Sequence, residues 1–218
     1  MTDKPKPKST NMPRTTWLLA FRLSLGTLAL VAIATQLSVH IQYSFSVVNF
    51  FSFFTNLSNL LAAIVLLSGA FQLMAHRRPT ARSDWFRCAA VSQMAVVGIV
   101  FAILLHDVDL GSLRPWVNTV LHTVMPIAVV LEWWWIPPQN KLNHQQLLQV
   151  LIFPVMYVTY TLIRGAATGW YPYPFLNPEN AGGYGGVVAY AVAIAAVCYL
   201  VSWMLFKIAN MRNKTAKS

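Results

Sequence analysis

The sequence predicts an all-α polytopic membrane protein, a bundle of six transmembrane helices with both termini cytoplasmic. Three observations predict it. Of the 218 residues, 56% are hydrophobic and only 10% are charged. A soluble domain carries about a quarter charged residues, so too few are present here to cover a water-facing surface. The same apolar content excludes a disordered chain. Six apolar runs approach or exceed the length of a span, which takes about 20 helical residues for roughly 30 Å of hydrocarbon. Finally, the basic residues gather in alternate connections, as membrane topology requires.

Residues 1–16 read as a disordered basic tail, because interleaved Lys and Pro bar a helix and bury nothing. The apolar runs at 17–37, 48–75, 86–105, 116–136, 147–164 and 185–208 follow. They make 17–208 the transmembrane domain and 209–218 a basic C-terminal tail. The first run is too long for a signal peptide and lacks a small-residue cleavage site, so it reads as a retained span. The fifth is short and carries Pro154, Tyr157, Thr159, Tyr160 and Thr161. Lys4, Lys6, Lys8 and Arg14 fall on the same side as Arg77, Arg78, Arg82, Arg87, Lys141, Lys207, Arg212, Lys214 and Lys217. The positive-inside rule makes that side cytoplasmic. The net charge of +10 is then a topology signal and an attraction to anionic lipid. No basic groove with interleaved stacking aromatics suggests a nucleic-acid partner.

Several chemistries are excluded by what is missing. No CxxC, P-loop, GxSxG or dinucleotide GxGxxG pattern occurs, and no cofactor is expected. Cys88 and Cys198 read as packed thiols. The HDVD run at 106–109 has a spacing that arises by chance, so no metal is expected. No internal repeat supports an inverted-repeat transporter.

Polar residues inside spans carry the information, because they are costly in lipid. In the second run, Asn49, Ser52, Thr55, Asn56 and Asn59 fall within about 120° of helix arc. In the fourth, Asn118 and His122 are one turn apart and Glu132 shares their face. Counted from the outer ends of their runs, Thr55 and His122 both lie about 10 Å deep. A hydroxyl and an imidazole at one depth can form a nucleophile–base pair for acyl transfer. His122 then needs an orienting group, either Asn118 or an aspartate of the outer loop, Asp107 or Asp109. Tyr157, Tyr160, Thr161 and Arg164 share one face of the fifth span. Arg164 near its outer end either binds a carboxylate head group or snorkels. Residues 165–186, rich in Pro and Tyr, favour an extended, stiff segment that anchors at the interface or roofs an outward pocket. Arg22 and Glu132 lie at similar depth in the inner leaflet and are expected to pair.

Three segments carry a resemblance: FFSFFTNLSNLL (50–61), RPWVNTVLHTVMPIAVVLEWWW (114–135) and FPVMYVTYTLIRG…GWYPYPFLNP (153–178). Together they resemble the bacterial Pr-six-Pr membrane protein family, which is related to the androgen-induced (FAR/AIG-like) membrane threonine hydrolases. The similarity covers essentially all six spans. In the eukaryotic relatives a span Thr and a span His hydrolyse fatty-acid esters of hydroxy fatty acids. The matching positions are Thr55 as nucleophile and His122 as general base. Asn59, Asn118, Tyr157, Tyr160 and Arg164 are candidates to support the pair or bind substrate. The resemblance implies a multi-pass protein of the bacterial inner membrane whose partners are membrane lipid and a lipid-like ester. The alternative is a non-enzymatic lipid-binding or transport protein with the same polar interior.

Overall fold

The computed structural model describes residues 12–108 and 112–215. Among these the chain is helical without strands, and six helices are long and apolar enough to cross a membrane. They are α1 (Met12–Gln42), α3 (Phe54–Met74), α4 (Ala81–Val100), the broken helix α5–α6 (Pro115–Thr119 and Met125–Trp135), α7–α8 (His144–Val150 and Ile152–Thr168) and α10 (Tyr184–Thr215). Short helices α2 (Val47–Phe51) and α9 (Pro178–Ala181) precede α3 and α10. α1 starts at Met12, within the stretch read as a polar tail, and residues 1–11 of that tail lie outside the described residues. α10 likewise continues through Thr215 into the stretch read as the C-terminal tail.

The core sits where α1 packs on α3, α3 on α4, and α4 on α6 and α10. Met94, Leu121, Met125, Val129 and Trp133 fill it. α8 and α10 are more peripheral and present Val155, Met156, Ile163, Val192 and Leu200 outward.

The second apolar run is not one helix, contrary to its unbroken hydropathy. α2 ends at Phe51, Phe53 is extended (φ −81°, ψ 126°), and α3 begins at Phe54. A break at membrane depth needs internal partners for its freed backbone groups. The polar stripe provides them. Asn56 Nδ2 donates to Phe50 O at 2.8 Å, and Ser52 Oγ donates to Val48 O at 2.7 Å. Tyr157 donates its hydroxyl to Ser52 O at 2.8 Å from across the bundle.

The fourth span is also irregular, and proline explains it. Pro126 has no N–H and its ring crowds the preceding turn. Residues Val120–Val124 form a π-turn, in which Met125 N–H reaches back to Val120 O. Leu121 O thereby loses its ordinary donor. A second π-turn, Phe101–Leu105, extends α4. Gly98 lets the two segments approach, since a Cβ there would lie 3.0 Å from Pro126 Cβ.

At the end of the bundle where α1 begins and α10 ends, four buried charges form a network. Arg22 donates to Glu132 Oε1 through Nε at 2.9 Å and Nη2 at 2.5 Å. Arg87 Nη2 donates to Glu132 Oε2 at 2.9 Å and to Ile136 O at 2.8 Å. Arg87 Nη1 lies 3.6 Å from Asp84 Oδ1. Asp84 Oδ2 accepts from the backbone N–H of Gln139 and Asn140 and from Asn140 Nδ2. In the sequence Arg87 reads only as a topology charge. It is 8% exposed and is the second partner of Glu132.

The connection from α8 to α10 corrects another expectation. It is not a uniformly extended strap. α8 stops at Gly169 in the left-handed region (φ 69°), a conformation that costs glycine little. Pro174–Leu176 make a 3₁₀ turn and α9 follows. Tyr173, Phe175 and Leu176 are buried against Leu105, Tyr157 and Val187. Burying these large side chains outweighs the extended preference of the prolines. Gly165 is required beneath this connection, because a Cβ there would lie 2.0 Å from the Tyr171 ring. Gly165→Ala is therefore expected to lift the 169–183 segment. Chymotrypsin should then cut after Trp170 or Phe175 faster than in the parent chain; unchanged cleavage kinetics would contradict this.

Candidate active site

A cavity of about 480 Å³ opens at the end of the bundle opposite the charge network. Gln36 and His40 of α1, Asn49 of α2, Thr55 of α3 and His122 of the π-turn line it, beneath Trp170, Pro172 and Tyr173. Thr55 is the second residue of α3 and is 6% exposed. Because the second run is broken before it, residue counts from Val48 and Pro115 do not measure depth. The shared cavity, rather than equal counts, brings Thr55 and His122 together.

Asn59 ties their backbones. Its Nδ2 donates to Thr55 O at 2.9 Å and to Leu121 O at 3.1 Å. The second carbonyl is the one left without its ordinary donor by the π-turn and Pro126. One amide thus sets the nucleophile candidate against the residue preceding His122.

His122 is half-buried and stacked on Phe101, with ring centroids 4.3 Å apart. Its Nδ1 lies 3.2 Å from Asn118 O. A carbonyl only accepts, so Nδ1 carries the proton and Nε2 keeps its lone pair. The orienting group is therefore the Asn118 backbone. The Asn118 side chain does not take that role; its Oδ1 is buried without a partner among the described residues. Asp107 pairs with His106 at 2.7 Å on the exposed loop, and Asp109 lies outside the described residues. Among the described residues no three His, Cys, Asp or Glu form a metal-holding group.

Thr55 Oγ1 is not hydrogen-bonded to His122. It meets Tyr173 Oη at 3.4 Å, and Thr55 N–H donates to the same oxygen at 3.3 Å. Burial holds the Tyr173 phenol above its ordinary range, so it stays protonated and able to donate. The sequence reads 165–186 as an interfacial anchor or a roof, and nothing in it singles out Tyr173 as the partner of Thr55. Its position depends on the folding-in of the 169–183 connection, which no local pattern signals. Gln36 was also missed, although a glutamine inside an apolar span is a readable signal. It accepts from Arg114 N–H and donates to Ser112 O, holding the 112–114 segment at the cavity rim.

The remaining candidates stand behind the cavity. Ser52 donates its only hydroxyl proton to Val48 O, so Tyr160 donates to Ser52 Oγ at 3.1 Å. Tyr157 and Tyr160 thus splice the helix break. Arg164 does not line the cavity. Its Nη2 donates to Asn49 Oδ1 at 2.5 Å and its guanidinium lies 5.0 Å from the Trp170 ring centre, so it braces two residues that do. Arg22 and Glu132 belong to the charge network at the far end.

No curated protein and no solved structure matches the chain. A family model described as FAR-17a/AIG1-like protein matches residues 35–207, a stretch that holds the helix break, both π-turns, the cavity and the roofing connection. The chain belongs to the FAR-17a/AIG1-like family, as an all-helical membrane protein with six apolar spans.

Proposed function

We propose that this protein is an intramembrane threonine-type hydrolase of lipid or fatty-acid esters, with Thr55 as nucleophile and His122 as general base. The observation that carries the reading is the single cavity lined by Thr55 and by a histidine whose Nδ1 proton is engaged by Asn118 O. Nε2 is left free to take a proton. In the acylation step Thr55 Oγ1 bonds to the ester carbonyl carbon while its proton passes to His122 Nε2. The tetrahedral oxyanion collapses, the alcohol oxygen leaves, and that oxygen takes the proton from His122. Water then attacks the acyl-threonine, losing its proton to the same nitrogen, and the acid departs as Thr55 regains its hydrogen. Tyr173 Oη, beside both Thr55 Oγ1 and Thr55 N–H, is placed to donate toward the developing oxyanion.

The membrane setting follows the charges. Arg77, Arg78, Arg82, Lys141 and Lys207 belong to the end opposite the cavity. We assign that end and both termini to the cytoplasm, which puts the cavity on the outer side of a cell membrane.

The test is labelling of the purified chain with a lipid-like fluorophosphonate. The expected result is one adduct on Thr55, absent in Thr55→Ala and in His122→Ala, both of which retain the parent melting curve. A folded protein that forms no adduct and turns over no ester would instead favour a lipid-binding role.

A further inference from the structure

A second space also reaches Thr55. It is a narrow slot of about 60 Å³ bordered by α3, α4, α8, α10 and the connection that carries Tyr173. Val97, Val100, Tyr157, Leu176, Ile194 and Cys198 form its wall. Tyr157 commits its hydroxyl to Ser52 O, so that residue offers the slot its ring. Thr55, Leu105 and Tyr173 line both the slot and the larger cavity. Thr55 with Tyr173 is therefore the partition between two spaces of unlike chemistry. One carries Gln36, His40, Asn49 and His122, whereas the other is almost wholly hydrocarbon and aromatic.

The slot also has a way out. Pro154 and Val158 of α8 and Ala191 and Ile194 of α10 line it and are half-buried, so it extends to the seam between these two peripheral helices. Their neighbours Val155 and Val192 are exposed on the apolar surface.

An ester has two unlike sides, and the mechanism proposed above assigns each to one space. The leaving alcohol must stand beside His122, which protonates it, and His122 lines only the larger, polar cavity of the two. The acyl chain must lie on the other side of the carbonyl carbon. We infer that the slot is the acyl-chain site, with the chain running from Thr55 through the α8–α10 seam into the bilayer and the alcohol portion held in the larger cavity. This rests on the hydrolase reading. The slot is narrow and open-ended, so chain length is limited by the bilayer rather than by a closed end.

Two measurements on the full chain in nanodiscs test it. The first compares the acetyl and palmitoyl esters of p-nitrophenol in Ala191→Trp, which narrows the seam, and in Val192→Trp, which adds the same bulk one residue away on the exposed surface. Ala191→Trp is expected to slow the palmitoyl ester by about tenfold or more while leaving the acetyl ester near the parent rate. Val192→Trp should change neither. An equal change in both esters, or none, overturns the assignment. The second measurement needs no turnover and no variant. Palmitic acid bearing a terminal diazirine is photolysed with the parent chain, and the adducts are mapped. Adducts on α8 and α10 at the seam support the acyl site even if no ester is hydrolysed, in which case the hydrolase reading alone fails. Adducts confined to residues of the larger cavity, such as Phe45 and Trp170, place the chain there and overturn the slot.

Discussion

A chain carrying both Thr55→Ala and His122→Ala is expected to hydrolyse ester no more slowly than either single variant. Each single change should lower kcat/KM by about three to four orders of magnitude, because nucleophile and base act as one unit. The structural reason for treating them as a unit is Asn59, whose one amide group holds Thr55 O and Leu121 O together. Thr55 Oγ1 rests on Tyr173, and in the proposed mechanism its contact with His122 forms as an ester enters the cavity. Catalytic hydrogen bonds commonly tighten only in the substrate complex. Steady-state kinetics of the parent chain, both singles and the double in one lipid background decide the matter. Losses that multiply would mean that the two side chains act independently, and the nucleophile–base assignment would fall.

Glu132→Ala is expected to be the most destabilising single change in the bundle. Glu132 is 3% exposed and accepts from two arginines that have come from different helices. Its removal leaves Arg22 and Arg87 facing each other with only Asp84 to offset them. Breaking a buried pair by deleting one partner costs about 3–5 kcal/mol. An uncompensated charge within a span adds to the difficulty of finding a relaxed state. The double change Arg22→Met/Glu132→Leu should be milder than either Arg22→Met or Glu132→Leu alone. It removes one charge of each sign and leaves Arg87 beside Asp84 at 3.6 Å. Thermal melting of the detergent-solubilised proteins reads this directly. Additive shifts for the two positions would show that the arginine and the glutamate do not act as a pair.

These residues differ in how readable they were. Arg22 and Glu132 announce themselves as charges inside apolar runs, and comparing their depths is enough to suggest partners. Arg87 was equally visible but lies near the start of its apolar run, where a basic residue ordinarily marks topology, so its burial was not foreseen. His122 and the Asn stripe stood out for the same reason as Arg22. Their detailed roles did not. Tyr157 and Tyr160 share a helical face that marks them as supporting or substrate-binding residues, and the structure shows both bonded to Ser52. For Arg164, a candidate to support the pair or bind substrate, the contacts found are to Asn49 and Trp170.

Apolar run length and the scarcity of charge suffice to establish six spans and an all-helical chain. In hydrocarbon a span must satisfy its backbone within itself, and an apolar run of that length leaves the helix as the one solution available to a single segment. Where the helices break, and what repairs the breaks, lies beyond any local pattern. The carbonyl of Ser52 is capped from 105 residues away, that of Leu121 from 62, and Thr55 meets its hydroxyl partner across 118. Hydropathy and periodicity average over neighbours in sequence, whereas an unpaired backbone group is satisfied by whatever polar atom packing brings within about 3 Å. The helix break, the π-turn at His122 and the inward fold of Tyr173 were therefore settled only when the helices packed.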